Sequence, residues 1–292
     1  QNTLTRGAAA KIICNLILGP TTAGALVADT APYSDVPTTN TFAGYIAYCQ
    51  KEGIISGYAD GTFRPAATLT GYAFMKMLLG ALGYDSEIEG YTGSNWSIAV
   101  GKRALGIELD DGNDNFVGTA AVTREEACLY AFNTLKATMV EYDAKTTVSV
   151  EGAQVTVGGS EAKNVSQDGY KSYTGDSDDT TLEFCEKNFD KLKAKDDTNG
   201  FDAPATKWTY DGDEIGTYDK DADATLVVAD AEKSLETLIT DGDYMDISSK
   251  DIDADAKVFF NGLDLGKYSA VKGDDDLAGK GDIIDVYELR PS

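Results

Sequence analysis

Apolar residues recur at helical spacing in three stretches of the first half of the chain. Each stretch follows a threonine, and the three are Thr5, Thr70 and Thr123. A threonine oxygen accepts hydrogen bonds from the free N–H groups of a first helical turn, so each threonine is predicted to cap a helix. Glu126, three residues after Thr123, completes a capping box. The apolar faces are Ala9, Ile12, Ile13, Leu16; Phe74, Met77, Leu78, Leu82; and Ala127, Tyr130, Ala131, Leu135.

Two further helices are predicted over residues 42–51 and 96–104. Each is expected to stop at a glycine in the left-handed conformation, Gly53 or Gly106. An Asp60–Gly61 turn follows the first of these glycines, with Phe63 facing inward.

The second half has the two-residue alternation of short strands. Strands are predicted over 146–150, 154–158, 207–210, 225–228, 257–260 and 283–288, with helices over 182–193 and 231–239. Charge changes at the same place, since the net charge is −6 for 1–143 and −18 for 144–292. The sequence therefore predicts a multi-domain chain: an all-α half over 1–143, then a β-rich half over 144–292. That second half would be β-sandwich-like or α+β, and could hold two small modules.

Composition excludes several function classes. The 292 residues carry a net charge of −24, which disfavours nucleic-acid and anionic-membrane partners. No apolar run is long enough for a membrane span. The absence of histidine removes His-ligated metals and Ser-His or Cys-His pairs, so we predict no enzyme.

The four cysteines have no metal-binding or redox spacing. Cys14, Cys49, Cys128 and Cys185 are scattered, and three of them lie in apolar stretches. They are interpreted as small buried hydrophobic residues. A disulfide could form in an oxidising compartment, but the sequence determines no pairing.

The first half is internally repetitive. Gly53 and Gly106 each lie 17 residues before a capping threonine, and Phe63 and Phe116 each lie seven before it. A shortened copy begins the chain, because Leu4-Thr5-Arg6 matches Val122-Thr123-Arg124. We predict a partial repeat over 1–32 and complete ones over 33–90 and 91–143. The chain starts inside a repeat, so a signal peptide and one helix are expected upstream of Gln1.

Three segments resemble the motifs of the S-layer homology (SLH) domain family. They are Tyr33-Ser-Asp35-Val36-Pro37, Gly53-Ile-Ile-Ser-Gly57-Tyr58-Ala-Asp60-Gly61-Thr-Phe63-Arg64-Pro65 and Val122-Thr123-Arg124-Glu125-Glu126-Ala127. The resemblance implies three helical repeats in a three-pronged spindle. It also implies grooves that bind secondary cell-wall polysaccharide, often through a pyruvylated sugar.

Matched to the family motif, five residues become candidate ligand contacts. Arg6, Arg64 and Arg124 would bind the carboxylate, because arginine is a planar bidentate donor. Asp35 and Trp96 would line the groove. The alternative is that Asp35 and Arg64 brace turns and that Trp96 belongs to the core.

Three departures from the motif reduce the number of grooves expected to bind. Gly71-Tyr72 replaces the arginine of the second copy, and Gly7-Ala8 stands where the first copy needs a glutamate. The third copy lacks the complete glycine-rich turn, with its Phe-Arg-Pro ending replaced by Phe116-Val117-Gly118. At most one or two of three grooves are therefore expected to bind.

Acidic clusters in the second half suggest a Ca²⁺ site. Asp219, Asp221 and Asp223 alternate and Asp230 takes the twelfth position, but Ala224 replaces the glycine of an EF-hand loop. Asp251, Asp253 and Asp255 alternate too, and on a strand all three carboxylates would share one face. That face could bind Ca²⁺, as a possible cofactor, or simply face water.

The leading hypothesis is a non-catalytic bacterial cell-surface protein of the S-layer type. It would lie outside the cell, anchored to wall polysaccharide and assembled with copies of itself. This also fits a loose likeness of the second half to the β-rich tails of SLH-bearing surface proteins. The alternatives are a wall-anchored carbohydrate hydrolase, and an assembly protein whose degenerate repeats no longer bind sugar.

Overall fold

The chain divides into two compact units, Gln1–Asp190 and Lys191–Ser292. A computed structural model describes residues 2–143, 146–150, 153–157, 159, 161–228, 233–241, 247–248, 252–273 and 280–287. No helix in these described ranges is long and apolar enough to cross a membrane.

The helices of the first unit begin where the threonines predict. They are α1 (Arg6–Gly24), α2 (Ala43–Lys51), α3 (Gly71–Leu82), α4 (Trp96–Gly106), α5 (Arg124–Lys136) and a short α6 (Phe184–Asn188). The hydroxyls of Thr5, Thr70 and Thr123 accept from the third residue of α1, α3 and α5 at 3.2–3.3 Å. Glu126 closes the predicted capping box. The three predicted caps are confirmed.

One predicted helix end is wrong. Gly53 adopts the left-handed conformation after α2, but Gly106 is the last residue of α4, and Glu108 has the positive φ of 58°. The hydrogen bonds explain the difference. The Ile54 N–H donates to the Cys49 carbonyl at 2.9 Å, five residues back along the chain. In the third copy the Leu109 N–H donates to the Ala104 carbonyl at 3.0 Å, also five residues back. The third copy therefore makes this reversal two residues later than the glycine alignment predicts.

A closed ring of backbone hydrogen bonds joins the three motif copies. The Leu4 N–H donates to the carbonyl oxygen of Val122 at 2.8 Å, the Val122 N–H to that of Leu69 at 2.9 Å, and the Leu69 N–H to that of Leu4 at 3.0 Å. All three side chains are buried. Each ring residue directly precedes a capping threonine, so the ring sets where α1, α3 and α5 begin.

The first unit extends beyond the boundary predicted at Asp143. The segment after α5 adds β1 (Val140–Tyr142), which pairs antiparallel with β4 (Ala162–Asn164). A separate hairpin joins β2 (Thr146–Val150) to β3 (Ala153–Val157), close to the predicted strands. Leu182 and Phe184 enter the same hydrophobic core as the helices. Because these side chains belong to that core, the first compact unit ends at Asp190. Charge and hydrophobic periodicity change earlier, near Asp143.

The described residues of the second unit form two antiparallel sheets. The first has the order β5-β6-β7 and the second the order β10-β9-β11-β8. A hydrophobic core beneath the second sheet includes residues of α7 and α8. The element bounds are β5 (Leu192–Thr198), β6 (Pro204–Tyr210), β7 (Asp213–Asp219), β8 (Ala224–Val227), α7 (Leu235–Thr240), β9 (Lys257–Phe260), β10 (Leu263–Lys267), α8 (Tyr268–Val271) and β11 (Ile283–Tyr287).

The helix predicted over 182–193 is wrong in its last part. Helix α6 ends at Asn188, and Leu192 already belongs to β5. Leu192 and Ala194 are buried while Lys195 is exposed, so this segment follows the two-residue period of a strand. The other predicted strands and the helix near 231–239 agree with the structure to within a few residues, except that residues 158, 231–232 and 288 of these elements lie outside the described ranges.

The left-handed residue after α4 gives a test of these helix ends. We expect Glu108→Gly to raise the free energy of unfolding by about 0.5–1 kcal/mol, because glycine adopts positive φ without a Cβ clash. Gly53→Ala is the matched control and should lower it by about 1 kcal/mol. A Cβ at Gly53 would meet no atom within 4 Å, so only the backbone conformation is penalised there.

The measurement is urea unfolding followed by the fluorescence of Trp96 in a Trp208→Phe background. These are the two tryptophans of the chain, so the signal then reports the first unit alone. A Glu108→Gly variant no more stable than its parent would contradict the interpretation.

Candidate functional site

A groove of about 300 Å³ opens on the first unit and draws on all three motif copies. The first copy supplies Arg6, the second supplies the 54–63 turn and α3, and the third supplies residues 91–96. The walls are mostly apolar and aromatic, and two cationic side chains enter the groove. The lining residues are Arg6, Ile54, Ile55, Ser56, Gly57, Tyr58, Phe63, Leu69, Ala73, Lys76, Met77, Tyr91, Thr92, Gly93 and Trp96.

Arg6 is held firmly as the first residue of α1. Its Nε donates to the Phe63 carbonyl at 2.7 Å, and one terminal nitrogen donates to the Ser56 carbonyl at 3.1 Å. The guanidinium lies 4.3 Å from the Phe63 ring centroid and 5.0 Å from that of Tyr58. Burial lowers the pKa of Arg6, which the neighbouring Tyr58 partly opposes. Arginine still remains charged at neutral pH, so a fixed positive group faces the groove.

Lys76 is the second cation of the groove, and it is not among the site residues predicted from the sequence. Its ammonium donates to the Tyr91 carbonyl at 2.7 Å and lies 5.9 Å from the Trp96 ring centroid. Burial lowers the pKa of Lys76. One signal was available, because Lys76 is the only charged residue of the otherwise apolar α3. A lysine within such a helix indicates a polar opening.

Trp96, the first residue of α4, is half-buried and lines the same groove. The structure thus brings Arg6 and Trp96 into one site. The Trp96 ring beside the Lys76 ammonium offers a flat apolar wall next to positive charge, which suits an anionic group on a ring-shaped ligand.

Asp35 braces the turn that carries Phe63. Its two carboxylate oxygens accept from the backbone N–H groups of Phe63 and Arg64, each at 2.7 Å. Desolvation works against the charge, but these two donors prevail and lower the pKa of Asp35. Asp35 is not among the lining residues, so the geometry favours the turn-bracing alternative.

Arg64 lies beside the groove rather than in its lining. It has a left-handed φ of 59° and pairs with Asp60 at 2.7 Å. Hydrogen bonds from Thr62, and then from Arg64, lower the pKa of Asp60 to about 2. The Arg64 guanidinium lies 4.1 Å from the centroid of the Tyr58 ring, which Arg6 also contacts. Arg64 therefore orients one wall of the groove.

In the second copy, Gly71 takes the position that Arg6 has in the first copy, and aromatic side chains fill the space around it. The backbone N–H groups of Arg6, Gly71 and Arg124 donate to Ala67, Ala120 and Asn2 respectively, which makes the three positions equivalent. A Cβ at Gly71 would lie 2.9 Å from the Phe116 ring, and a Cβ at Gly118 would lie 2.2 Å from the Tyr72 ring. Tyr72 and Phe116 pack edge to face at 5.8 Å. An arginine at position 71 would therefore have to displace the Phe116 ring.

Arg124 begins α5 with an exposed side chain. It does not line the groove of Arg6 and Lys76. A role of Arg124 as a ligand contact would need a second groove, and it stays a prediction.

The predicted Ca²⁺ ligands are not gathered in the described residues. Strand β7 ends at Asp219, whose carboxylate accepts from Asn199 at 2.9 Å, and Asp221 and Asp223 follow in a loop before β8. Asp253 and Asp255 lie in a turn and not on a strand, so the strand face predicted for them is wrong. Asp230 and Asp251 lie outside the described residues.

In the described ranges, one group of three acids brings carboxylate oxygens within 4.8 Å of one another: Asp179, Glu183 and Glu186. Both oxygens of Glu186 already accept hydrogen bonds, from Gln167 and from the backbone of Tyr173 and Glu183, at 2.9–3.2 Å. One Glu183 oxygen is buried, and no donor among the described residues reaches it. Burial, followed by the charge of Glu186, raises the pKa of Glu183 to about 7. The geometry fits a pair that holds a proton near neutral pH better than a metal site.

Residues 32–71 match the family model of the S-layer homology domain. The chain carries an S-layer homology domain there, and the family resemblance is confirmed over these residues. The matched range includes Asp35 and the Tyr58-to-Phe63 wall of the groove.

Three proteins share short regions with this chain. It is 34% identical over 58 residues to the middle cell wall protein of Brevibacillus brevis, covering 20% of this chain and 6% of that protein. It is 34% identical over 58 residues to the surface layer protein of Brevibacillus choshinensis, covering 20% and 5%. It is 34% identical over 79 residues to cell surface glycoprotein 1 of Acetivibrio thermocellus, covering 27% and 3%. The chain thus spans a small fraction of each relative.

The buried Glu183 gives a pH prediction. Its pKa is raised from 4.5 to about 7 on folding, so its contribution to stability is complete below pH 4.5 and is lost as the pH rises through 7. Glu183→Gln should be more stable than the parent at pH 8 by on the order of 2 kcal/mol, because the amide removes the buried charge. The difference should shrink toward zero near pH 5.

Urea unfolding of the first unit at pH 5, 6.5 and 8 measures this, again by Trp96 fluorescence. The exposed Glu161→Gln is the control for general charge effects. An equal difference between Glu183→Gln and its parent at all three pH values would contradict the raised pKa.

Proposed function

We propose that the chain is a non-catalytic cell-surface protein whose first unit binds a carboxylate-bearing cell-wall polysaccharide. The observation that carries this proposal is the juxtaposition of Arg6, Lys76 and Trp96 in one groove. The S-layer homology domain over 32–71 and the surface-protein relatives support the same class.

The chemistry of the groove suits such a ligand. A carboxylate on a sugar ring binds strongly to a guanidinium through charge-assisted hydrogen bonds, and an ammonium adds attraction without fixed geometry. The apolar C–H face of the sugar can pack on the aromatic ring of Trp96 or Tyr58. Arg6 and Lys76 are anchored by backbone carbonyls, so little side-chain freedom is lost on binding.

The proposal includes a three-pronged spindle built from three repeats, over residues 1–32, 33–90 and 91–143. The hydrogen-bond ring of Leu4, Leu69 and Val122 supports it, because it relates the three copies by equivalent contacts. Threonine caps at equivalent positions support it as well. The segment up to Asp190 would belong to the anchoring unit.

The acidic β-rich part would face away from the wall and pack against copies of the chain. This places the protein in the cell wall or S-layer, outside the cell. A carbohydrate hydrolase anchored in the same way would need two carboxylates flanking a sugar bond. Turnover on a panel of wall and plant polysaccharides would favour that alternative.

Wall binding by variants of Arg6 tests the groove directly. We expect Arg6→Ala to weaken binding to purified wall polysaccharide by about 1.5–3 kcal/mol, the scale of a hydrogen bond to a charged group. Arg124→Ala is the matched comparison, since it removes an arginine from the equivalent helix position outside the groove. It should change binding by less than about 0.5 kcal/mol.

Sedimentation with wall fragments measures retention, and circular dichroism checks that both variants keep their helices. Retention of Arg6→Ala equal to that of the parent would remove this groove from the ligand site. An equal loss in Arg124→Ala would show a second groove. Wall binding absent from the parent itself would favour the assembly protein with degenerate repeats.

Self-association should depend on ionic strength rather than on one cation. The net charge of −18 over 144–292 makes copies repel one another at low salt. The described acids at 219, 221 and 223 are not gathered, so NaCl and CaCl₂ at equal ionic strength should promote sedimenting assemblies equally. Greater assembly with CaCl₂, abolished by Asp219→Asn, would restore the Ca²⁺ prediction. No assembly in either salt would contradict self-association.

A further inference from the structure

Two buried thiols meet at the contact between α1 and α2. The Sγ atoms of Cys14 and Cys49 are 3.6 Å apart, and both residues are fully buried. Cys14 Sγ lies 3.5 Å from the Tyr45 carbonyl, and Cys49 Sγ lies 3.7 Å from the Ala10 carbonyl. Each sulfur therefore lies over the helical turn that precedes the other cysteine. This reciprocal arrangement positions the two side chains toward each other.

We propose that Cys14 and Cys49 form a disulfide that links α1 to α2 when the chain folds in the presence of a small-molecule disulfide. The other two cysteines do not share this position, because Cys128 is exposed on α5 and Cys185 is buried on α6. The sulfurs would need to approach from 3.6 Å to the bonded distance of about 2.05 Å.

The reaction is thiol–disulfide exchange with two electrons transferred. One cysteine thiolate attacks the small disulfide, forms a mixed disulfide and releases one small thiolate. The second cysteine thiolate attacks the protein sulfur of the mixed disulfide and releases the other small thiolate. The two protein thiols lose two protons and two electrons, and the small disulfide becomes two thiols.

The exchange must occur before the core closes. In the folded chain, the contact with Cys14 and then burial raise the pKa of the Cys49 thiol, so little thiolate forms there. The unfolded chain exposes both sulfurs at ordinary pKa values. Folding then brings them together, and the finished bond is shielded from reductants by the same burial.

The bond would act on the elements that support the groove. Cys14 lies on the helix that begins with Arg6, and Cys49 lies on the helix that leads into the Ile54-to-Phe63 wall. The two cysteines are 35 residues apart, so the link removes many conformations from the unfolded chain. For a loop of this length the midpoint of thermal unfolding should rise by about 10 °C.

The first measurement is peptide mapping of the full chain refolded from denaturant with oxidised and reduced glutathione. We expect a cross-linked peptide pair containing Cys14 and Cys49 that disappears on reduction. Alkylation in denaturant should then label Cys128 and Cys185 but not the other two of the four cysteines. Labelling of all four, or cross-linking through Cys128 or Cys185 instead, would overturn the proposal.

The second measurement is thermal unfolding of oxidised and reduced protein, followed by Trp96 in the Trp208→Phe background. The oxidised protein should melt about 10 °C higher. Cys14→Ala with Cys49→Ala should abolish that difference, whereas Cys128→Ser should preserve it. Since the double variant could itself destabilise the core, the comparison is between its oxidised and reduced samples. A linked protein that melts with the reduced one would overturn the stabilising role. Neither measurement depends on polysaccharide binding.

Discussion

The fold of the first unit depends on the closed ring of three backbone hydrogen bonds among Leu4, Leu69 and Val122. Each of these residues is one position before a capping threonine, so the ring fixes the starting points of α1, α3 and α5 together. Two residues onward, the N–H groups of Arg6, Gly71 and Arg124 form a second set of bonds that links the three copies in the opposite direction. Because buried peptide groups must be paired, displacing one copy would leave unpaired groups in the other two.

The groove follows from this arrangement. Ring contacts place the start of α1 against the 54–63 turn, and that turn is held by Asp35. The site is therefore composite, since no single copy supplies both cations and all of the aromatic walls. The surroundings of Gly71 in the second copy differ from those of Arg6 in the first. Tyr72 and Phe116 occupy the space there, and they stabilise the unit through ring contacts rather than offering a polar opening.

Local signals predicted the helix starts well and the composite features poorly. Thr5, Thr70 and Thr123 act through hydrogen bonds within one helical turn, so the sequence alone contains the information. Gly106 failed because a longer α4 moved the left-handed position to Glu108. The strand at Leu192 was obscured because Leu-Lys-Ala-Lys fits both a helix and a half-buried strand.

The candidate site shows the same division between local and long-range information. Arg6 and Trp96 could be proposed from motif positions, but their meeting depends on contacts between copies. Lys76 was missed because its partner, the carbonyl of Tyr91, is supplied by the following segment. Asp35 was left open between two roles, and only its two backbone donors distinguish them.

The aromatic side chains packed around Gly71 also affect how many binding grooves each chain offers. With Arg6 as the ligand contact, one copy of the chain would hold the wall through a single groove, and one dissociation event would release it. Linking copies side by side would make rebinding intramolecular, so residence on the wall would grow steeply with the number of linked copies. On the proposed function, packing that closes one groove would thus make wall attachment depend on how many copies are linked.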